Sequence, residues 1–419
     1  MNTSNRKNIA ILAFTLIVVM LGYGLVIPLY PFYIEKLGAS GSELGLLISV
    51  SALLELLFGP VWGGISDRVG RKPILLLGLF GYALSSLLFG LSTEVWMLFA
   101  SRALSGVLSS AVSATALAYI SDSTAAEERG WGMGMLGAAM GLGLILGPAA
   151  GGWLGASSLA LPFFIAAGMS MVALALGAAL LPESLPVEVR NRAGKVRTVQ
   201  FGLLWQSLFG PVGLLLFMLF LVSFGLTNFE SVFGLYTAQE LDYGPERVGT
   251  ILAVVGLTST LGKAILIGPL TRRWGEASII KVSLAASSAA FIVLLLAKTY
   301  PGVLAATGVF ILSKTLLRTV IMSLTSKRTT LGQGTAMGLC NSFMNLGRVV
   351  GPIWAGFIFD VNVTYPYLSG AAIMFIGFII SLIWISQPRP LPLQTDPLRP
   401  AGSQAMQAAT PGDRARSHG

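Results

Sequence analysis

Twelve apolar stretches, each long enough to cross a bilayer, run almost end to end along this chain: residues 9–33, 44–65, 73–91, 95–120, 132–154, 159–181, 211–236, 248–270, 279–297, 301–324, 335–359 and 365–385. A helix needs about 20 apolar residues to span the hydrocarbon, and inside it every backbone N–H and C=O must be satisfied within the segment. The pattern predicts an all-α membrane protein of twelve transmembrane helices. Composition agrees, since only 11% of the 419 residues are charged. An ordinary soluble domain carries about 25%, and this deficit leaves too few ionisable groups to cover a water-facing surface. The first stretch is too long, and too well followed by further spans, to read as a cleaved signal peptide.

The rare residue types narrow the chemistry. Cys340 is the only cysteine, so no internal disulfide can form. His418 is the only histidine, which argues against a His-ligated metal site or a histidine relay. No metal or other cofactor is expected. The net charge of +9 is explained by where the bases fall. Nineteen of the 27 Lys and Arg lie in, or within three residues of, one alternating set of connections and termini, three lie in the other set, and Arg102, Lys263, Lys314, Arg318 and Arg348 lie deeper within spans. By the positive-inside rule this predicts a multi-pass protein with both termini in the cytoplasm. The lipid bilayer is then the expected partner, and no nucleic acid is needed to account for the charge.

The polar connection 183–209 divides the chain into bundles at 1–182 and 210–386, followed by a tail, 387–419, of disordered composition. The bundles share motifs. Gly63-Gly-Ile-Ser-Asp67-Arg68-Val-Gly70 is matched 205 residues later by Gly268-Pro-Leu-Thr-Arg272-Arg273-Trp-Gly275. Gly147-Pro148-Ala-Ala-Gly151-Gly152 is matched 204 residues later by Gly351-Pro-Ile-Trp-Ala-Gly356. Two matches at nearly one offset indicate a duplicated six-helix unit. Six is even, so both halves enter from one side. They should be related by an axis along the membrane normal, with a binding site between them near the midplane.

The turn Asp67-Arg68-Val-Gly70-Arg71-Lys72 sets one acid among several bases beside spaced glycines. It resembles the signature loop of the major facilitator superfamily, where such charges bridge to neighbouring helix ends and latch one conformation. The resemblance implies a twelve-helix fold of two pseudo-symmetric six-helix bundles and gating roles for Asp67, Arg68, Gly70 and Arg71. Ser101-Arg102-Ala-Leu-Ser-Gly106 resembles the fourth-helix motif of proton-coupled exporters. Gly143-Leu-Ile-Leu-Gly147-Pro148-Ala-Ala-Gly151-Gly152 resembles the fifth-helix antiporter signature, which makes Gly147, Pro148 and Gly151 candidate gating residues. The ending Gly22-Tyr23-Gly24 to Pro28-Leu-Tyr30-Pro31 of the first span, and the seventh and eleventh spans, are similar to the twelve-helix drug:proton antiporters of the NorA and Bmr type. That family exports small molecules from bacteria. The resemblance therefore implies a monomeric multidrug exporter in the plasma (inner) membrane, an antiporter driven by the proton gradient and using no cofactor.

Proton coupling needs a group that binds and releases a proton away from bulk water, and removal from water favours a neutral carboxyl. Only Glu55 and Glu230 lie well inside spans. Glu230 matches the seventh-helix glutamate that the resemblance assigns to coupling and substrate binding. Either acid could instead pair structurally with Arg102 or Arg318, and Glu55 could also recognise a cationic substrate. Arg102, costly inside a membrane, should face the interior and hold a partner. Asn341, Asn345 and Arg348 are spaced to share one helix face. Tyr23, Phe224, Asn341 and Asn345 join Glu230 as candidate substrate contacts; Glu230, Glu55, Arg102 and Arg318 are the coupling candidates. One departure stands out. Family members carry an acid three positions before the arginine matched by Arg318, whereas this chain has Thr315 there, with Lys314 beside it. The second half is consequently basic inside, which admits an anionic or zwitterionic substrate. An endogenous metabolite exporter or facilitator of the same fold is the alternative reading. An enzyme is not expected, since no H-E-x-x-H, P-loop or suitably spaced acid pair occurs.

Overall fold

The computed structural model describes residues 3–123, 129–190, 201–329 and 332–385. Every regular element among them is helical. The first crossing is composite: α1 (Thr3–Val26) passes through a 3₁₀ turn at Ile27–Leu29 into α2 (Tyr30–Lys36). Then follow α3 (Gly41–Val69), α4 (Arg71–Gly90), α5 (Val95–Ser123), α6 (Arg129–Ser157) and α7 (Leu161–Leu180). Two short helices, α8 (Val187–Arg190) and α9 (Phe201–Leu208), occupy parts of the connection read from sequence simply as polar. The second half comprises α10 (Gly213–Leu241), α11 (Pro245–Leu261), α12 (Ile267–Leu296), α13 (Tyr300–Arg328), α14 (Gln333–Val361) and α15 (Tyr365–Trp384). The predicted disordered tail lies outside the described residues.

Ten helical stretches are long and apolar enough to cross a membrane. One of them, Pro245–Leu296, has 52 residues and breaks at Gly275 (φ 74°, ψ 160°), so it supplies both the eighth and the ninth crossing. The remaining crossing is α14, whose hydropathy is diluted by Asn341, Asn345 and Arg348 but whose 29 residues are ample in length. Several helices run past their apolar cores. α3 continues to Val69 and α13 to Arg328, because polar helical turns can protrude beyond the hydrocarbon into the headgroup region.

The duplication is visible in packing. α1 packs on α6 and α7, α5 on α3 and α4, and α4 on α7. In the second half α10 packs on α14 and α15, α13 on α11 and α12, and α12 on α15, which is the same set of neighbours transposed. The halves meet through α3 with α14 and through α6 with α11, again a symmetric pair of contacts. Apolar packing fixes each half. Phe89 stacks on Phe163 at 4.4 Å with Tyr30 and Tyr33 against them, and Phe229, Phe291 and Phe310 stand 4.6–6.3 Å apart in the second.

The two ends of the molecule differ. At the end carrying the Gly38 turn, the halves are joined. Asp360 of α14 accepts hydrogen bonds from the Gly41 and Ser42 N–H groups at 2.8 and 3.0 Å, placing a carboxylate on the N-terminus of α3. Deeper in, Ser49 donates to the Val349 carbonyl at 2.6 Å. Small residues permit this approach: a Cβ on Gly45 would strike the Pro352 carbonyl, and one on Gly249 would strike the Pro148 carbonyl. Toward the end carrying Gly70 and Gly275 the same helices part. Among the described residues, nothing beyond the helix's own backbone and chain neighbours stands within 4 Å of the Cβ position at Gly59 or Gly63 of α3, Gly137 of α6, Gly268 of α12 or Gly338 of α14.

Candidate functional site

At the Gly70 end, a charged network holds the turn between α3 and α4. Gly70 adopts φ 116°, where a side chain is strained, and a Cβ there would collide with the Glu183 carboxylate. The buried Arg71 guanidinium donates from Nε to Asp122 Oδ2 at 2.8 Å and from Nη1 to Ser66 Oγ at 2.7 Å, and it pairs with Asp67. Glu183, arriving after α7, accepts from the Arg71 and Lys72 N–H groups at 2.8 and 3.2 Å and faces Arg190 at 3.6 Å. A carboxylate at a helix N-terminus satisfies orphan donors and opposes the helix dipole. Asp67, Gly70 and Arg71 are thus brought together as expected, with Arg68 exposed beside them. Asp122 and Glu183 were not singled out from sequence. Their signal was only that each is an acid at the end of a span facing the same turn as Arg71.

Midway through the molecule lies a cavity of about 360 Å³, walled by α1 to α6 from the first half and by α10 and α14 from the second. Tyr23, Glu55, Arg102, Glu230 and Arg348 line it, among apolar side chains such as Met20, Ile48 and Leu144. Gly147 and Gly151 of α6 pack directly on the α1 backbone at Gly24 and Leu25, so the fifth-helix glycines let α1 and α6 approach; Pro148 lies against Gly24 through its ring and against Gly249 of α11 through its carbonyl. Glu55 is not paired with Arg102. Its Oε2 lies 3.7 Å from Nη2 of Arg348, an ion pair joining α3 to α14 across the two halves. Both side chains keep about two-fifths of their surface accessible (39% and 41%), although both sit at mid-membrane depth, because that surface belongs to the cavity.

Arg102 does face the interior, but its partners are hydroxyls. Nη1 donates to Tyr30 Oη at 2.9 Å and Nη2 to Ser51 Oγ at 2.5 Å, with the Tyr30 ring centroid 4.7 Å away. Its Nε is buried without a partner. Glu230 projects from α10 into the cavity and makes no hydrogen bond or ion pair within 4 Å among the described residues; Lys314 and Arg348 are the cations facing it. The cavity therefore holds one carboxylate engaged across the interface and one unengaged.

Four candidates lie outside the cavity wall. Phe224 is buried against Phe220 in helix packing, with centroids 6.1 Å apart. Asn341 is exposed and Asn345 half-buried nearer the Gly70 end of α14, and only Arg348 of that stripe reaches the cavity. Arg318 is exposed on α13. Phe229, Phe233 and Tyr236, further along α10, are core as well. Periodicity had placed these residues on helices without fixing which way each helix is turned.

The sequence profile of the Major Facilitator Superfamily matches residues 12–332 and, again, 215–411. Multidrug resistance protein 2 of Bacillus subtilis is 31% identical over 376 residues, covering 89% of this chain and 94% of that protein. Quinolone resistance protein NorA of Staphylococcus aureus is 28% identical over 378 residues, covering 90% and 96%. Among solved structures, a bacterial homologue of the human lysosomal transporter Spinster, in an inward-facing and unoccupied conformation, superposes with a TM-score of 0.70 at 14% identity, covering 91% of this chain and 96% of that one.

Proposed function

The chain belongs to the major facilitator superfamily, and from that premise we propose that it is a proton-coupled antiporter exporting small amphipathic compounds by alternating access across a plasma (inner) membrane. The observation that carries this reading is Glu230, an acid without an ion-pair partner among the described residues, in a cavity between the two halves. The similarity to multidrug and quinolone resistance proteins supports the substrate class. A carboxyl there can hold a proton in one state and exchange it for a substrate in the other. We take residues 1–182 and 210–386 as the two bundles that rock against each other, joined by 183–209. The bias of Lys and Arg assigns the Gly70 end to the cytoplasm, together with both termini. The conformation described is then inward-facing: closed outside by Asp360 on α3, and parted inside at Gly59, Gly63 and Gly338. Closing the cytoplasmic side would bring the Arg71 network toward the other half, while the Asp360 contacts release.

Purified protein in liposomes with an imposed pH gradient tests this. Gradient-driven accumulation of a fluorescent drug that Glu230→Gln reduces to background is the expected outcome. Flux by the wild-type protein that ignores both the gradient and the substitution would remove the antiporter mechanism and leave a facilitator.

A further inference from the structure

Away from the ends of the spans, five cations stand against two carboxylates: Arg102, Lys263, Lys314, Arg318 and Arg348 against Glu55 and Glu230. Of these, only Glu55 and Arg348 form an ion pair, and the hydroxyls of Tyr30 and Ser51 hold Arg102. Lys263, Lys314 and Arg318 make no hydrogen bond and no ion pair within 4 Å among the described residues, yet they stand together. Thr315, next to Lys314, touches Ser259, one turn before Lys263, and Lys314 lies within electrostatic range of Lys263, Arg318, Arg348 and Glu230, as Arg318 does of Arg348. Like charges gathered inside a membrane protein repel and are costly to desolvate, and such groups normally mark a ligand path.

Local structure presents these three residues deliberately. Lys263 sits on a π-helical turn, Gly262–Leu266, between α11 and α12. Such an expanded turn shifts the following side chains around the helix and is frequent at functional sites. Thr315, next to Lys314, bonds Ser259 of α11 at 3.1 Å, which pins α11 and α13 together at this level. Arg318 follows one turn along α13, and both Lys263 and Arg318 are exposed in the conformation that is parted toward the Gly70 end.

We propose that the exported compound is an amphipathic anion, its carboxylate held by Lys314 with Arg318 and Lys263 along its entry path, and its apolar body in the cavity beside Met20, Tyr23 and Ile48. The proposal rests on the exporter reading for direction, but the anion site itself does not need proton coupling. An anion seated at Lys314 supplies the counter-charge that the protein lacks. It would also lie within electrostatic range of Glu230, so that substrate charge and the unengaged carboxylate influence each other.

Two xanthene dyes of similar shape and opposite charge test it: fluorescein, an anion, and rhodamine 6G, a cation. Equilibrium binding to the detergent-solubilised full chain is read by fluorescence anisotropy, and transport is read in liposomes with and without a pH gradient. The wild-type protein is expected to bind fluorescein in preference to rhodamine 6G. Lys314→Met and Arg318→Met are each expected to weaken fluorescein binding about tenfold, the worth of one charge-assisted contact, with Lys314→Arg retaining it and rhodamine 6G binding not weakened. Wild-type preference for rhodamine 6G would overturn the proposal whatever the variants do, and so would fluorescein binding indifferent to both Met substitutions. Fluorescein-selective flux that ignores the gradient would sink the antiporter reading and leave the anion site standing. Gradient-driven flux of rhodamine 6G alone would do the reverse.

Discussion

A charged pair in a wet cavity contributes to mechanism more than to stability, and Glu55 with Arg348 is such a pair. At 3.7 Å, with both side chains about two-fifths accessible, its net worth to folding is that of a surface pair, about 0–1 kcal/mol. Glu55→Gln should therefore leave Tm within about 2 °C of the wild-type value, as read by thermal unfolding in detergent. Transport should respond differently, because the pair ties α3 to α14 at the level where the halves separate. Glu55→Gln and Arg348→Gln should each alter transport, and the double variant should be no worse than the worse single one, since both remove the same contact. Additive losses would mean that the two residues act independently. This pair also marks the limit of what the chain reveals before it is folded. Glu55, Glu230, Arg102 and Arg348 were all legible as in-span charges, because ionisable residues are scarce there. Which acid faces which base was not, since it depends on the rotation of α3, α5, α10 and α14 about their own axes. Arg102 illustrates the point: its partners proved to be the hydroxyls of Tyr30 and Ser51, groups too common to be singled out by type.

At the scale of elements, the glycines divide by what lies opposite them. Gly45, Gly151 and Gly356 touch the backbone of a neighbouring helix, whereas Gly63 and Gly338 face open space in this conformation. Leu at Gly45 would collide with the Pro352 carbonyl and should prevent the Gly38 end from closing. In a Cys340→Ser background, Ser49→Cys would then be labelled faster by a membrane-impermeant thiol reagent in Gly45→Leu protein than in Gly45 protein. Equal rates would show that α3 and α14 close without that contact. Gly63→Leu makes the opposite prediction: it leaves the present conformation intact and slows transport, because its side chain must be accommodated when the other end closes. The crossings themselves were legible from hydropathy, because the polar run 271–278 already divides the stretches on either side of Gly275 and 335–359 is long and apolar enough despite its polar residues. What hydropathy does not give is backbone conformation: the chain turns sharply at Gly275, where φ is 74°, with helix on both sides. Nor does it give the outcome of the polar stripe on α14, of which only Arg348 reaches the cavity.

At the scale of the whole molecule, the duplication preserves positions while inverting charge. Arg71 follows the positive-φ Gly70 and pairs with Asp122 of α5; 205 residues later Glu276 follows the positive-φ Gly275 and pairs with Lys327 of α13 at 2.7 Å. Base and acid have changed places in both partners at once, so what the fold conserves is attraction between the turn and the adjacent helix end. The two networks are not equal. Arg71 also holds Asp67 and Ser66, whereas Glu276 accepts from Ser323, and Lys327 is 63% exposed while Glu276 is 9% exposed. A carboxylate so buried loses the cation 2.7 Å away in Lys327→Glu, at a cost of about 1–2 kcal/mol once solvent screening of the exposed partner is allowed for. If attraction is all that the position requires, Glu276→Lys and Lys327→Glu should each reduce Tm and transport, and the two together should recover most of both. Failure of the double exchange to recover transport, with Tm restored, would mean that the sign of the charge at this turn matters to the moving molecule. The two halves would then differ in how they latch as well as in what they bind.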